Sequence, residues 1–387
     1  MKYCHIKAKL LSPLLIQRQR QPSARESIEY LPGSTLRGAL AAKFFLVRGG
    51  PDHKDFRSLF LDHPACFPNL LPADEKGERL SRVLPMTGIS CKRNSGFKSE
   101  GKHGVKDILA VNAASRINDK PADESFWKCP ECGEDMKPFS GFWNGDCRSP
   151  RKFEASSLYH RHTGIDRDTG TIAPSIFFMD QVIADFRKKD DKSEEYYPQY
   201  LSGSMFISDE QIEILKTLIE DSVFAGAERT RGLGELALSI EEMPYPESDI
   251  DSWNEQFKKL LRLFTERDVS ANTYFSIKLE SHAILTDKFL RPVSDIEEFS
   301  SPEFVQILKM VKPQVIRGWQ SAWNMPKPDD TGLAMGSVFL FQYKGDDPEH
   351  LKTFLKELAI KGIGLRREEG FGRISVCDDL HIIKEGI

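Results

Sequence analysis

Alternation of apolar and polar residues predicts a β-strand at the start of the chain. The segment Tyr3–Ile16 has a period of two, clearest up to Leu10, as expected for a strand with one buried face. The segment Tyr30–Val47 then changes to helical spacing. Gly33 and Ser34 are predicted to begin this helix, because a free N-terminal turn favours a hydroxyl cap.

The same two periods return after position 200. Leu201–Ile207 has the pattern of a strand, and Ser208 and Gln211 have the spacing of a capping box that starts a helix. Leu236–Ile240 is a second predicted strand. Ser252–Arg267 is amphipathic, and we expect it to be a helix that connects two domains.

The second half of the chain repeats the first. Tyr274–Lys278 resembles the opening strand, and Met335–Phe341 resembles Ser202–Phe206. Asp347 and Pro348 suit the cap and first position of a following helix. The order strand, helix, strand, strand, helix, strand is that of the ferredoxin-like, or RNA-recognition-type, unit.

The spacing of two landmarks supports an internal duplication. Ser204 precedes Gly232 by 28 positions, and Ser337 precedes Gly364 by 27. We therefore predict an α+β fold with two tandem ferredoxin-like domains. The predicted boundaries are 1–245 for the first domain, 246–270 for the connecting helix and 271–387 for the second domain.

Between about residues 50 and 200 the periodicity weakens, and glycine, proline and charge are scattered. We expect this segment to be an insertion in the first domain with little regular structure. A loop of that length is uncommon without an internal staple. Cys129 and Cys132, with Pro130 and Gly133 between and after them, have the form of a zinc knuckle and could provide one.

A structural zinc ion needs four ligands, so two more are required. Cys147 is the predicted third ligand. Cys91 is our choice for the fourth, with His103 and His160 as alternatives. A redox pair or buried thiols would be the simpler explanation, but the context is not that of a thioredoxin.

Composition narrows the class of protein. The chain has 54 Lys and Arg against 58 Asp and Glu, so any nucleic-acid contact must come from local patches. No apolar run is long enough to span a membrane. Seven cysteines, with one Cys-x-x-Cys, favour reduced thiols and a cytoplasmic location over a secreted disulfide framework.

Two glycine-rich loops, Arg229–Leu236 and Lys361–Arg373, each lie between a helical segment and a β-like run. Glycine lets backbone amides approach an anion closely, and arginine adds forked donors that suit phosphate. Ordinary helix C-terminal caps would also explain the glycines. The predicted RNA contacts in these loops are Arg229, Arg231, Gly232, Gly234, Arg366, Arg367, Gly370 and Gly372.

Ser34 and Arg37 lie at the predicted start of the first helix, where free N–H groups and the helix dipole suit a phosphate. A capped helix with a surface arginine is the alternative. A further basic segment, Asp146–Arg167, is predicted to form an extended hairpin in which His162 and Arg167 contact RNA. A solvated charged loop would have the same composition.

RNA cleavage without a metal would need a general base, often histidine. His5, His160 and His162 are the candidates, but isolated histidines rarely indicate catalysis. The chain shows no Ser/His/Asp order and no nucleotide-binding P-loop. We therefore expect a protein that is not an enzyme, with a metal-independent endoribonuclease that processes repeat-containing RNA as the alternative.

Three motifs together resemble those of a known family. Pro32–Gly38, Arg229–Gly234 and Gly364–Gly372 are similar to the hallmarks of the RAMP superfamily of CRISPR effector subunits. The cysteine insertion and His162–Thr171 are similar to features of the large RAMP subunit of type III-D complexes.

This resemblance implies a non-catalytic subunit of a type III CRISPR interference complex. Such a subunit would grip the 5′ handle of the guide RNA (crRNA) and help to assemble the complex. Its implied partners are the guide RNA, the large polymerase-like subunit and the backbone RAMP subunits.

Overall fold

A computed structural model describes residues 1–17, 24–188, 194–320, 323 and 325–383. The helices in these residues are α1 Gly33–Arg48, α2 Lys54–Phe60, α3 Leu109–Asn118, α4 Asp209–Leu218, α5 Ile250–Leu261 and α6 Pro348–Lys361. The strands are β1 Lys2–Leu10, β2 Ala24–Glu26, β3 Leu71–Pro72, β4 Arg82–Val83, β5 Gly88–Cys91, β6 Val105–Asp107, β7 Met136–Pro138, β8 Phe142–Trp143, β9 Lys152–Phe153, β10 Ser157–Ile165, β11 Ile172–Ile183, β12 Phe186–Lys188, β13 Tyr196–Pro198, β14 Tyr200–Ile207, β15 Val223–Phe224, β16 Glu235–Glu242, β17 Thr273–Leu279, β18 Phe304–Met310, β19 Pro313–Ile316, β20 Trp319–Gln320, β21 Met325–Pro326, β22 Asp330–Leu333, β23 Val338–Tyr343 and β24 Ile374–Val376.

The chain forms two compact units, each assembled from separate segments. Unit 1 contains Met1–Ser81, Phe153–Pro244 and Glu368–Gly370. Unit 2 contains Arg82–Lys152, Tyr245–Arg367 and Phe371–Ile387. Both units mix helices with several small sheets, so the fold is of the mixed class that the sequence predicts.

Unit 1 is organised around a five-stranded sheet in the order β15-β16-β1-β14-β3. Its inner strands run antiparallel, and β1 pairs with both β14 and β16. Without the short edge strand β15, the order is fourth, first, third, second along the chain, as in a ferredoxin-like unit. The core joins alternate residues of β1 to the apolar faces of α1 and α4.

Helices α4 and α1 of unit 1 begin in different ways. Ser208 and Gln211 form the predicted capping box at the start of α4. The predicted hydroxyl cap of α1 is wrong, since no side chain of the first turn caps it. Instead the Asn69 side-chain oxygen accepts a hydrogen bond of 2.9 Å from the Gly33 amide. A residue 36 positions away supplies this cap, which local spacing does not reveal.

Unit 2 contains a four-stranded antiparallel sheet in the order β18-β23-β17-β24. Numbered along the chain, these strands are second, third, first and fourth, which is the order of unit 1 read from the opposite edge. The helix expected between the first two strands is absent, because the helical part of residues 280–303 is limited to a 3₁₀ turn at Glu297–Phe299. Asp347 caps α6 and Pro348 is its first residue, as predicted.

The predicted connecting helix belongs to the core of unit 2. Trp253 and Phe257 of α5 stack on each other with centroids 4.8 Å apart, and Phe257 contacts Tyr274 of β17. The Trp253 indole also donates a hydrogen bond to the Asp378 carbonyl. This helix therefore contributes aromatic packing to unit 2.

Residues 82–152 also pack in unit 2, whereas the predicted boundaries place them in the first domain. Buried Lys278 explains part of this placement, because its amino group donates to the Val83 carbonyl at 2.8 Å. Helix α3 adds Leu109 and Ala113 to the apolar cluster that contains Phe257. Lys278 and Val83 are 195 positions apart in the sequence, so local patterns do not reveal this contact.

The expectation of little regular structure between residues 50 and 200 is wrong. This segment contains α3, the three-stranded sheet β6-β5-β7 and the long β10-β11 hairpin. Several of its strands are only two to four residues long, too short to show a clear period in the sequence. No helix among the described residues combines the length and apolar character needed to cross a bilayer.

Candidate nucleic-acid surface and metal centre

The two glycine-rich loops have the same backbone construction. Gly234 has φ +83°, and a Cβ there would lie 1.9 Å from the Ala225 carbonyl oxygen. Gly372 has φ +70°, and its Cβ would lie 1.8 Å from the Ile363 carbonyl oxygen. Each glycine also accepts a hydrogen bond of 2.9 Å from that same residue's amide. Only glycine fits such a contact.

This equivalence continues through both bends, at positions 138 apart. Glu228 and Arg366 both adopt left-handed backbone conformations, at φ +57° and +58°. A 3₁₀ turn follows in each loop, and Gly232 and Gly370 then adopt φ +83° and +89°. We call these two segments, residues 225–234 and 363–372, the first and second glycine bends.

The predicted correspondence between the bends used the wrong landmarks. Gly232 is equivalent to Gly370, and Gly364 is equivalent to Gly226. The spacing match between Ser204 and Ser337 is therefore coincidental, because Ser204 lies in the middle of β14 whereas Ser337 precedes β23. Leu236 and Ile374, which are also 138 positions apart, pair with Leu10 and Leu279, so the preceding residues Lys9 and Lys278 are equivalent. These lysines pair with Tyr200 and Val338, so Tyr200 is the counterpart of Val338.

The first glycine bend presents its cations to solvent. Arg229, Arg231 and Gly232 are exposed, while Gly234 is buried. Arg231 lies 3.1 Å from a Glu228 carboxylate oxygen. The side chain of Arg229 has no ion pair with any described residue. Arg229 is thus the cation of this bend that is most available to an anion.

The second glycine bend uses its cations within the protein. Arg366 pairs with Asp330 at 2.6 Å and lies over the Phe371 ring, 4.9 Å from its centroid. Arg367 lies 3.5 Å from the Lys361 carbonyl oxygen. Arg366 and Arg367 are therefore more engaged than Arg229, and the two bends differ in their accessible charge.

The start of α1 is closely packed against residues 368–370, which belong to the same unit. A Cβ at Gly33 would lie 2.1 Å from the Phe67 carbonyl oxygen and 3.1 Å from Gly370 Cα. Arg37 donates to the Phe60 carbonyl at 2.6 Å. Gly33 is capped and Arg37 has a partner, so this helix start already satisfies part of its hydrogen-bonding capacity. Ser34 beside them is partly exposed.

A hairpin forms near the predicted place, but it consists of β10 and β11 and not of Asp146–Arg167, and it brings His162 close to the first glycine bend. His162 on β10 and Phe178 on β11 are register partners, and their rings stack with centroids 4.5 Å apart. The Arg25 and Arg231 guanidinium carbons lie 5.2 and 5.9 Å from the centroid of the same Phe178 ring. An aromatic ring is thus surrounded by three side chains that can carry positive charge.

A buried carboxylate holds this group together. The Asp180 side chain is fully buried and accepts two hydrogen bonds from Arg25, at 2.6 and 2.7 Å. His162 Nε2 lies 3.1 Å from Asp180 Oδ2, one of the two oxygens that accept from Arg25, and Glu228 also pairs with Arg25. We call this set the Phe178 cluster: Arg25, His162, Phe178, Asp180, Glu228 and Arg231.

Sequence reasoning found His162 and Arg231 but missed the rest of the cluster. Phe178 and Asp180 are two positions apart on β11, so their side chains share one face of the strand. That strand was not predicted, and its pairing with β2 brings Arg25 beside Asp180. Arg167 is exposed near the hairpin tip and lies apart from the cluster.

The other two histidines of the nuclease alternative differ from His162. His5 is 5% exposed, and burial lowers its pKa below the usual value. A side chain so enclosed has little access to a substrate. His160 is on β10 with its ring 6.5 Å from that of His162.

Four potential metal ligands converge in unit 2. Ligand atoms of Cys91, His103, Cys129 and Cys132 all lie within 4.8 Å of one another. The Cys91 and Cys132 sulfurs are 3.6 Å apart, and the Cys129 sulfur is 3.4 Å from His103 Nδ1. Tetrahedral zinc with bonds of about 2.0–2.3 Å would place its ligand atoms at roughly these separations.

The local fold explains this convergence. Cys91 ends β5, the central strand of its sheet, and pairs with Met136 of β7. The Gly133 amide donates to the Cys129 carbonyl at 2.8 Å, which closes the knuckle turn. Burial acts to raise the pKa of Cys91, but the amides of Asn94 and Arg93 outweigh it and lower the pKa to about 6. A low pKa favours the thiolate that a metal requires.

The structure replaces one predicted ligand, because Cys147 is not in this group. Cys147 packs against the apolar cluster that contains Phe97 and Trp143. Burial raises the pKa of its thiol to about 12, so it is protonated. His103 takes its place, and His160 belongs to the other unit.

No family model and no curated protein matches this sequence. Among solved structures, a type III-B Cmr-beta complex bound to cognate target RNA contains a chain with 13% identity and a TM-score of 0.42, over 91% of this chain and 89% of that one. A Cas6 product complex matches with 9% identity and a TM-score of 0.29, over 48% of this chain and 79% of that one. Oligomeric Cmr4 from Pyrococcus furiosus matches with 13% identity and a TM-score of 0.25, over 63% of this chain and all of that one (100%). Since these TM-scores are below 0.5, the function proposed below rests on the residues of this chain.

Proposed function

We propose that this chain is a non-catalytic, RNA-binding subunit of a type III CRISPR interference complex. The observation that carries the proposal is the first glycine bend beside the Phe178 cluster. There, exposed Arg229 lies on the same loop as Arg231, whose guanidinium faces an aromatic ring. Cations suit the RNA backbone, and a ring with cations around it suits unpaired bases.

The finer assignment rests on the motif resemblance. Two ferredoxin-like units, each with a glycine bend before its last strand, together with the Pro32–Gly38 motif, favour the large RAMP subunit of type III-D complexes. In that role the chain binds the 5′ handle of the guide RNA. It also assembles with the large polymerase-like subunit and the backbone RAMP subunits in the cytoplasm.

We further propose that zinc is the metal held by Cys91, His103, Cys129 and Cys132. All four positions are protein ligands, which is the arrangement of a structural site and leaves no place for a reactive water. A bound zinc ion would cross-link the insertion. The residues themselves hold the knuckle turn against β5.

RNA binding by the purified protein tests the function. In buffer with EDTA, we expect repeat-containing RNA to bind and remain intact, with affinity that falls as salt rises. The variant R229A/R231A should reduce the slope of log affinity against log salt by about 1.4, given roughly 0.7 for each of two phosphate contacts on a single strand. Arg57→Ala is the matched control, since Arg57 is an exposed arginine paired with Asp62.

Two outcomes would contradict this proposal. Salt-insensitive binding, or an unchanged slope in R229A/R231A, would remove the electrostatic mechanism. Defined cleavage products that disappear in His162→Ala would instead support the endoribonuclease, for which the His162–Asp180 pair is the best candidate general acid or base.

A further inference from the structure

A small hairpin in unit 2 exposes an aromatic ring between two cations. It contains Thr286–Pro292, which no predicted site includes. Phe289 is 66% exposed and Leu290 is 73% exposed at its tip. The Lys288 amino group and the Arg291 guanidinium carbon lie 5.1 and 5.2 Å from the centroid of the Phe289 ring.

This hairpin is rigidly constructed. Thr286 pairs with Pro292, and the Asp287 amide donates to the Arg291 carbonyl at 3.0 Å. One Asp287 carboxylate oxygen accepts from the amides of Phe289 and Arg291, at 2.9 and 3.0 Å. The other oxygen pairs with the Arg291 guanidinium at 2.6 Å. The tip is therefore ordered before any partner binds.

The tip is also energetically unfavourable for a free protein. Leu290 adopts φ +60°, a left-handed conformation that costs about 1 kcal/mol or more for a non-glycine residue. Two large apolar side chains are left in water, which adds to that cost. Backbone strain and exposed apolar area at one place point to a binding surface.

The hairpin is next to the second glycine bend. The chain that leads into it pairs Ile284 with Leu365, and the Leu365 amide donates to the Ile284 carbonyl at 3.0 Å. The Gly372 amide likewise donates to the His282 carbonyl at 2.8 Å. A nucleic acid that follows the second bend would therefore meet this hairpin.

We propose that Thr286–Pro292 is a contact for single-stranded RNA, in which Phe289 stacks on an unpaired base and Lys288 faces a neighbouring phosphate. Every base has a π-face, so the contact is tolerant of sequence. The adjacent cations match a polyanion better than they match the apolar surface of a protein. This inference rests on the proposed RNA-binding function and names a site beyond it.

The test is the affinity of the full chain for a fluorescently labelled oligouridine RNA, measured by anisotropy. Phe289→Ala should weaken binding about tenfold, as expected for loss of one stacked base. Phe289→Trp should retain wild-type affinity, because it keeps a stacking ring. Lys288→Ala should reduce the salt slope by about 0.7. Phe45→Ala is the control, since Phe45 is 58% exposed on α1 and should leave affinity unchanged.

The outcomes separate this inference from the function on which it rests. If the wild-type chain does not bind the RNA, the proposed function fails. If the wild type binds and Phe289→Ala binds equally well, only the hairpin contact is wrong. If Phe289→Ala weakened the binding of duplex RNA as much as that of single-stranded RNA, the hairpin contact would also be wrong, because paired bases offer no free face. Thermal unfolding should be unchanged in every variant, since the substituted side chains are exposed.

Discussion

At the scale of single residues, the glycine bends depend on positions where no side chain fits. Gly234 and Gly372 each combine positive φ with a neighbouring carbonyl closer than any Cβ tolerates. These glycines are structural: Gly234 shapes the bend on which Arg229 is presented, and Gly372 shapes the second bend. Their value for function is indirect, through the position of the arginine.

Gly234→Ala should therefore destabilise unit 1 by about 2 kcal/mol or more, since left-handed backbone alone costs about 1–2 kcal/mol. The clash with the Ala225 carbonyl adds to this. Chemical denaturation would measure the change. Gly38→Ala is the control, because Gly38 lies in α1 with open space around it, and alanine there should raise stability by about 0.5–1 kcal/mol. Equal stability of the Gly234 variant and the wild type would show that the bend is not constrained.

At the scale of elements, the knuckle turn and β5 bring together the candidate metal ligands. The knuckle itself follows from local sequence, since Cys129, Cys132 and Gly133 are within one turn. The two remaining candidate ligands, Cys91 and His103, come from β5 and from the turn before β6. Their approach depends on how β7 pairs with β5.

Cys132→Ser should lower zinc content from about one ion per chain and lower solubility at the same time, because the insertion loses its cross-link. Elemental analysis of the purified protein measures the first effect and the soluble fraction on expression measures the second. Cys147→Ser should keep its zinc, since the Cys147 thiol packs among apolar residues. Full zinc in the Cys132 variant, or loss of zinc in the Cys147 variant, would reverse this assignment.

At the scale of the whole molecule, buried charge is concentrated in unit 2. The side chains of Lys278 and Asp378 are both fully buried and pair at 2.5 Å. Glu280 lies 2.9 Å from the same amino group. Burial alone would raise the pKa of Asp378, but Lys278, His381 and Arg82 outweigh it and hold the pKa well below its usual range.

Because of this pair, the stability of unit 2 depends on pH in the acid range. The pKa of Asp378 is lower in the folded protein than in the unfolded chain, so its contribution is complete above about pH 4 and is lost as pH falls further. Asp378→Asn should lower the free energy of unfolding by about 3–5 kcal/mol at neutral pH and make its decline in acid shallower. Unfolding measured between neutral and acid pH tests both effects.

The control is Asp329→Asn, because Asp329 pairs with Arg317 at the surface and such pairs contribute little. It should match the wild type at every pH. An Asp378 variant with the same acid profile as the wild type would show that the buried pair does not titrate in this way.

Much of the fold was predictable, because period and capping act over a few residues. The strand at Leu201–Ile207, the capping box at Ser208 and the proline start of α6 all follow from local geometry. Short strands such as β5 and the pairing of β2 with β11 were not predictable. Their partners are far away in sequence, and a few residues carry too little periodicity to identify them.

The sequence by itself determined the long strands and helices outside residues 50–200, the glycine bends and the knuckle turn, since each depends on contacts within a few positions of the chain. The tertiary structure alone decided that His103 replaces Cys147, that residues 82–152 pack in unit 2, and that Phe178 lies beside Arg231. Those choices depend on strand register and on which side chains burial removes from water. Both are properties of segments that are distant in sequence and adjacent only after folding.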